Sequence, residues 1–310
     1  MISSIKGLHH VTSLASDANQ NNRFFTQVLG QRRVKKTVNF DAPEVYHLYY
    51  GDGAGTPGSV MTYFPFGNLQ KGVRGTGEVG VTEFAVPKGG LGFWENRLAD
   101  LNVTGLRRGT LFGAARLEFE GPDGDSFALV EATPENRNPW TGMGIDADVG
   151  ILGFNGARLR VREQAAIGEL LQFMGYHSVD RAGDITRYQI ENGNGAATID
   201  IEAVQSGSVA IQGSGSVHHI AFAVEDRAAQ DAVRKALIDT GYQVTPVIDR
   251  DYFYAIYFRS PGGVLFEIAT NEPGFDRDED MAQLGHDLKL PTRYEPYRDH
   301  IEAALPKIED

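Results

Sequence analysis

The sequence predicts an α+β fold built from four copies of one β-α-β-β-β unit. Three observations carry that prediction. Stretches alternating in polarity with period two each precede an amphipathic stretch with helical spacing. The helical stretches are closed by glycine in three of the four copies, at Gly30, Gly175 and Gly241. A turn rich in Pro, Gly or Asn stands before the last strand of every copy.

The fourth copy is the clearest. Val217–Glu225 (VHHIAFAVE) alternates as a strand does. Arg227–Thr240 places Val233, Ala236 and Leu237 on one helical face. Gln243–Ile248, Tyr252–Arg259 and, after the turn Pro261-Gly262-Gly263, Val264–Thr270 complete the unit. The first copy runs from Leu8–Ala15 through a helix carrying Phe24, Phe25 and Leu29 to Tyr46–Tyr50, the turn Pro57-Gly58 and Val60–Phe64. The second has Val79–Val86, a helix with Phe93, Trp94 and Leu98, Leu117–Phe119, Pro122-Asp123-Gly124 and Ser126–Glu131. The third has Gly156–Val161, Gln164–Met174, Arg187–Ile190, Asn192-Gly193-Asn194-Gly195 and Thr198–Val204. The copies group into an N-terminal half over 1–135 and a C-terminal half over 150–272. Pro134–Val149 links the halves, and Gly207–Gly215 links the third and fourth copies. The tail over 273–310 is acidic and reads as helical in two pieces, around Asp278–Leu284 and Tyr297–Leu305.

Composition narrows the function. The chain has 310 residues, a formal charge of -12 and 41% hydrophobic residues, enough for a sizeable core. The acidity argues against nucleic acid or an anionic membrane as partner. With no cysteine, disulfides, thiolate metal sites and Cys nucleophiles are excluded. No apolar run approaches the roughly 18 residues of a membrane span, and Met1–Gly7 lacks the pattern of a secretory signal. The expectation is a cytoplasmic protein, compatible with a homo-oligomer.

The four units, with His-His-Ile-Ala-Phe at 218–222 and Leu-Phe-Glu-Ile-Ala at 265–269, resemble the vicinal-oxygen-chelate (glyoxalase/extradiol dioxygenase) superfamily. Gly7-Leu8-His9-His10-Val11-Thr12, Val34–Phe40 and Tyr46-His47-Leu48-Tyr49-Tyr50-Gly51-Asp52 are similar to its hydroquinone-type ring-cleaving branch. The resemblance spans about residues 5–300. It implies units paired into two cup-shaped mixed sheets, with a metal inside one cup. It also implies an enzyme of aromatic degradation that opens a hydroquinone- or catechol-type diol with dioxygen, using iron(II), with manganese(II) as the alternative ion.

Non-haem iron(II) oxygenases hold their metal with two His and one carboxylate on one face. Both His-His pairs fall in the first strand of a unit, where neighbours point to opposite sides. His219 shares parity with the small Ala221 and Ala223, while His218 shares it with Ile220, Phe222 and Val224, which suit packing against helices. His219 is therefore the ligand candidate, and His10 is its counterpart in the first copy. Four residues beyond the last turn glycine stand Thr62, Ala128, Ile199 and Glu267; only the fourth copy has an acid there, with Asp200 one residue out of place. The predicted triad is His10, His219 and Glu267, so units one and four must share the metal cup, and units two and three would form a second cup without metal. The resemblance adds His218, Tyr257, Arg250, His9 and Thr12 as residues around the metal. The chemistry gives them work, since ring opening needs a proton shuttle and a donor for developing negative charge. Parity leaves His218 open: either a local bulge turns it inward, or it only packs and orients.

Other readings stay open. Lys35-Lys36 suits a solvated strand edge, and Tyr46, Tyr49, Tyr50, Tyr63 and Phe64 suit either an aromatic pocket or the core. A glyoxalase-like Lewis-acid lyase or isomerase on the same fold is the rival function. A drug-binding protein without chemistry is the more distant one.

Overall fold

A computed structural model describes residues 2–309. Unit one comprises β1 (Leu8–Ala15), α1 (Ala18–Arg23) continuing into a π-helical turn over Phe24–Val28, β2 (Arg32–Asn39), β3 (Ala42–Gly51) and β4 (Val60–Pro65). Unit two comprises β5 (Glu78–Pro87), α2 (Leu91–Asp100), β6 (Arg107–Leu111), β7 (Ala114–Glu120) and β8 (Ser126–Ala132). Unit three comprises β9 (Phe154–Val161), α3 (Gln164–Phe173), β10 (His177–Ala182), β11 (Ile185–Gln189) and β12 (Thr198–Ala203). Unit four comprises β13 (Val217–Val224), α4 (Arg227–Asp239), β14 (Ile248–Asp249), β15 (Phe253–Arg259) and β16 (Leu265–Pro273). The four-fold recurrence expected from the sequence is present in full.

Two mixed eight-stranded sheets result. One runs β14-β15-β16-β13-β1-β4-β3-β2 and joins units four and one. The other runs β10-β11-β12-β9-β5-β8-β7-β6 and joins units three and two. The first strands of the units pair antiparallel at the centre of each sheet, β1 with β13 and β5 with β9. Each unit closes by laying its last strand parallel to its first, as β1 with β4 and β13 with β16. Units farthest apart in sequence thus share a sheet, and the connectors 71–76 and 209–214 bridge to one another between the units.

The strand parity sorts the core as expected. Ile220, Phe222 and Val224 join a cluster containing the α4 residues Val233 and Leu237. Ala221 lies in a separate cluster on the concave side with Tyr49, Ala255 and Ala269. Helix α4 starts at Asp226, whose carboxylate caps Ala229 N–H.

Two expectations need correction. Lys35 is not a solvated edge: it is fully buried, bonds Asp278 at 2.6 Å, contacts Glu279, and lies 4.7 Å from the Tyr252 ring centroid. The cation is tolerated because the tail brings two acids to it. The tail's first helical piece is only a 3-10 turn over Met281–Gln283, since the segment is spent on wrapping unit one; Phe275 and Leu284 pack into the concave cluster beside Tyr49. The second piece is α5 (Arg298–Ala304). Among the described residues no helix is long and apolar enough to cross a membrane.

Candidate metal centre

The site forms where β1 and β13 cross the centre of the first sheet. In register, Thr12 pairs with His219 and Ser13 with Val217, so His218 is an extra residue in β13. Likewise Leu8 pairs with Phe222 and His10 with Ala221, so His9 is an extra residue in β1. Each His-His pair thus contains one β-bulge, which frees adjacent side chains from strict alternation. This corrects the helix-facing placement of His218 that parity alone suggests: it lines the same cavity as His219. His9 stays behind His10, packed on Phe253 with ring centroids 5.3 Å apart.

His10, His219 and Glu267 come together, although 209 residues separate the two histidines. His10 Nε2 and His219 Nε2 lie 3.3 Å apart. Glu267 Oε2 is 3.4 Å from His10 Nε2 and 2.9 Å from His219 Nε2. Glu267 is completely buried between Phe266 and Ile268, yet neither carboxylate oxygen has a hydrogen-bond partner among the described residues. An ionised carboxylate in that position is strongly disfavoured unless charge is supplied to it. Burial pushes its pKa up, but the two imidazoles outweigh burial and hold it well below the ordinary carboxylate range.

The outer imidazoles fix the inner ones. His10 Nδ1 is 2.9 Å from His9 Nδ1, and His219 Nδ1 is 2.7 Å from His218 Nδ1. Burial, and next the neighbouring imidazole, lowers the His9 pKa to about 3 and that of His218 to about 4. Neutral outer rings can accept a proton from the inner Nδ1–H. With an ion bound, the inner rings would keep their protons on Nδ1 and turn their Nε2 lone pairs to it, the tautomer that a metal ligand requires. Two imidazole nitrogens and one carboxylate oxygen converging from one side fit a divalent ion such as iron(II).

The cavity above them has a volume of about 400 Å³, and Phe40, Phe64, Phe253 and Leu265 are among its apolar walls. Arg250 and Tyr257 stand at its side. Arg250 Nε donates to the Tyr257 hydroxyl at 3.2 Å, and Arg250 Nη1 is 3.5 Å from Asp41 Oδ2. Arg250 thus reaches across to Asp41 of unit one. Burial and then Glu267 raise the Tyr257 pKa well above its ordinary value, so the hydroxyl keeps its proton. Thr12 accepts from Thr62 Oγ1 at 2.9 Å and is fully buried.

His47 lines the cavity but was given no role by the sequence reading. His47 Nε2 meets Thr62 Oγ1 at 2.8 Å, and its Nδ1 meets the Tyr49 hydroxyl at 2.7 Å. Tyr49, His47, Thr62 and Thr12 thereby form one hydrogen-bonded run along the wall. A signal existed: Tyr49 pairs with Thr62 as Tyr257 pairs with Glu267, so the repeat makes Tyr49 the counterpart of Tyr257 and puts His47 on its face. Of the five ambiguous aromatics, Tyr49 and Phe64 line the cavity, while Tyr46, Tyr50 and Tyr63 belong to the core on the helical side.

A family profile described as Glyoxalase/Bleomycin resistance protein/Dioxygenase superfamily matches residues 7–268. The chain belongs to this superfamily. Within it, a Bacillus subtilis (strain 168) protein named "Putative ring-cleaving dioxygenase MhqO" is 43% identical over 302 residues, covering 96% of this chain and 95% of the relative. The chlorohydroquinone/hydroquinone 1,2-dioxygenase of Sphingobium indicum is 33% identical over 308 residues, covering 96% and 95%. A solved structure from Bacillus subtilis subsp. subtilis str. 168, described as a "putative dioxygenase", superposes with a TM-score of 0.96 at 42% identity, covering 99% and 98%. Maize glyoxalase I shares the superfamily fold, with a TM-score of 0.65 at 14% identity over 91% of this chain and 97% of its own.

Proposed function

We propose that this ring-cleaving dioxygenase of the glyoxalase superfamily holds iron(II) with His10, His219 and Glu267 and opens a hydroquinone-type aromatic diol. The observation that carries the reading is the unpartnered, fully buried Glu267 carboxylate facing two imidazoles at the floor of an aromatic-walled cavity. The para-diol class rests on the relative named for hydroquinones, which matches along nearly the whole chain. Bound iron(II) would supply the electron transfer that spin-paired rings need to react with dioxygen.

The chain's own residues do the rest. The apolar walls grip a ring and keep water out, and the cavity is of a size that suits one substituted aromatic ring. His218 lines the cavity and, accepting from His219 through Nδ1, keeps its proton on Nε2, where it can act as a donor. Tyr257, held by Arg250, presents a neutral hydroxyl beside Glu267 and can donate to negative charge as it develops. His9 and His218 orient the ligand imidazoles, and Thr12 anchors the wall run through Thr62.

A Lewis-acid isomerase of this fold is the weaker reading. The place opposite Glu267 in unit one is Thr62, whose hydroxyl is engaged by His47 and Thr12, so no second acid faces the site there. The test is oxygen uptake by protein reconstituted anaerobically with iron(II), manganese(II), zinc(II) or nickel(II). Uptake of one dioxygen per hydroquinone consumed, with iron(II) giving the highest rate, is expected. Catechol turnover without hydroquinone turnover would overturn the para-diol assignment. Absence of uptake with every ion, together with turnover of a hemithioacetal, would overturn the oxygenase reading.

A further inference from the structure

The second sheet forms a cup of its own, filled by charges. Arg116 Nη1 lies 3.0 Å from Glu83 Oε1, and Arg158 Nη2 lies 3.6 Å from the same atom. Arg187 meets Asp200 through Nε and Nη2, both at 2.8 Å, with Nη2 also 3.8 Å from Glu83 Oε2. Asp200, the acid one place away from the ligand position, is thus spoken for by a guanidinium. Three guanidiniums face two fully buried carboxylates, and the third acid beside them, Glu118, is shared with Arg107 at the surface. Arg116 is only 4% exposed, yet its Nε and Nη2 have no hydrogen-bond partner among the described residues; nor does Arg158 Nε. Arg116 Nε passes 3.3 Å from Glu118 Oε1, outside hydrogen-bond geometry.

Buried donors without acceptors are costly. Arg116 and Arg158 open onto a cleft of about 210 Å³ that Arg107 and Arg108 of β6 border from solvent, with Glu118 as the cleft's acid. Arg107 pairs with Glu118, and Arg108 with Glu95 at 2.8 Å. These rim pairs are exposed and weak, so the arms can turn to another partner. Four guanidiniums thus converge on one small polar cleft in a chain of charge -12. Guanidinium forks match the paired oxygens of carboxylate and phosphate groups.

We propose that this cleft is a binding site for a small oxyanion, a carboxylate or phosphate group. Arg116 and Arg158 receive it at the floor, and Arg107 and Arg108 close over it. The test is calorimetric titration of the iron-loaded full chain at low ionic strength, with inorganic phosphate in one arm and maleate in the other. Saturable binding of either is expected, about tenfold weaker or worse in the double variant Arg107→Gln/Arg108→Gln, whose exposed side chains are not needed for folding. Preference between the arms identifies the group as phosphate or carboxylate. Arg116→Met should abolish binding; if it fails to fold, the rim variant alone decides. His219→Ala, altered only in the other cup, should bind the anion as wild type does. No saturable binding in wild type, no effect of the rim variant, or loss in His219→Ala would each overturn the proposal.

Discussion

The two cups answer one problem in opposite ways. Both are built from paired β-α-β-β-β units, and both bury acids on the concave side. In the cup of units two and three, Glu83 and Asp200 are matched by Arg116, Arg158 and Arg187 from the same chain. In the cup of units one and four, Glu267 faces two imidazoles and has no hydrogen-bond partner among the described residues. In the first kind of cup the chain's own guanidiniums match both acids and leave donors of Arg116 and Arg158 over. The second kind gathers its acid and two imidazoles into a cluster able to hold a metal ion, under an aromatic-walled cavity. Function on this scaffold therefore follows from which buried acid is left uncompensated.

Four predictions break or sharpen that contrast. The largest effect is expected at the triad. His10→Ala, His219→Ala and Glu267→Ala should each lose bound iron and turnover while far-UV circular dichroism stays native, because the site is one corner of a large core. Wild-type iron content in any of them would remove that residue from the ligand set.

The second cup should show the reverse. Glu83→Ala leaves buried guanidiniums without their shared acid, and should cost about 3–5 kcal/mol of stability with unchanged iron content per folded molecule. Burial raises the Glu83 pKa, but Arg116, Arg158 and Arg187 outweigh it and leave the pKa lowered. Its contribution is therefore fully present above the unfolded value of about 4.3 and is lost as pH falls below it. The melting-temperature gap between wild type and Glu83→Gln should close on acidification; a gap that widens would mean the guanidiniums do not hold the acid charged.

Tyr257→Phe tests chemistry within the metal cup. If the hydroxyl donates in the transition state, kcat and kcat/KM should fall together by roughly 10- to 1,000-fold at constant iron content. An unchanged kcat would move the donor role to His218 or His9. The smallest effect is expected from Tyr49→Phe, which removes the hydroxyl that meets His47 and should cost about 1 kcal/mol, read by denaturant titration. A loss of turnover as large as that of Tyr257→Phe would show that the wall run takes part in catalysis.

Much of this was legible in the sequence, because repetition is a local signal. Period-two strands, glycine stops and Pro-Gly turns marked four units, and counting from the last turn glycine isolated Glu267 as the acid in the ligand position. Two His-His pairs at equivalent places then led to His10 and His219, whose ring nitrogens the fold brings within 4.8 Å of one another and of a Glu267 oxygen.

Other features depended on three-dimensional contacts that no local pattern encodes. Alternation placed His218 against the helices, but the pairing of Ser13 with Val217 inserts a bulge and turns it to the cavity. Lys35 reads as a surface lysine until the tail delivers Asp278 and Glu279 to it from more than 240 residues away. The same holds for the second cup, where Glu83 from β5 meets Arg116, Arg158 and Arg187 from three other strands. The sequence by itself determined the units, their strand faces outside the bulges and the residue types able to ligate. Only the tertiary structure decided which buried charges find partners, because compensation depends on distances of about 3–4 Å between strands that lie far apart in sequence.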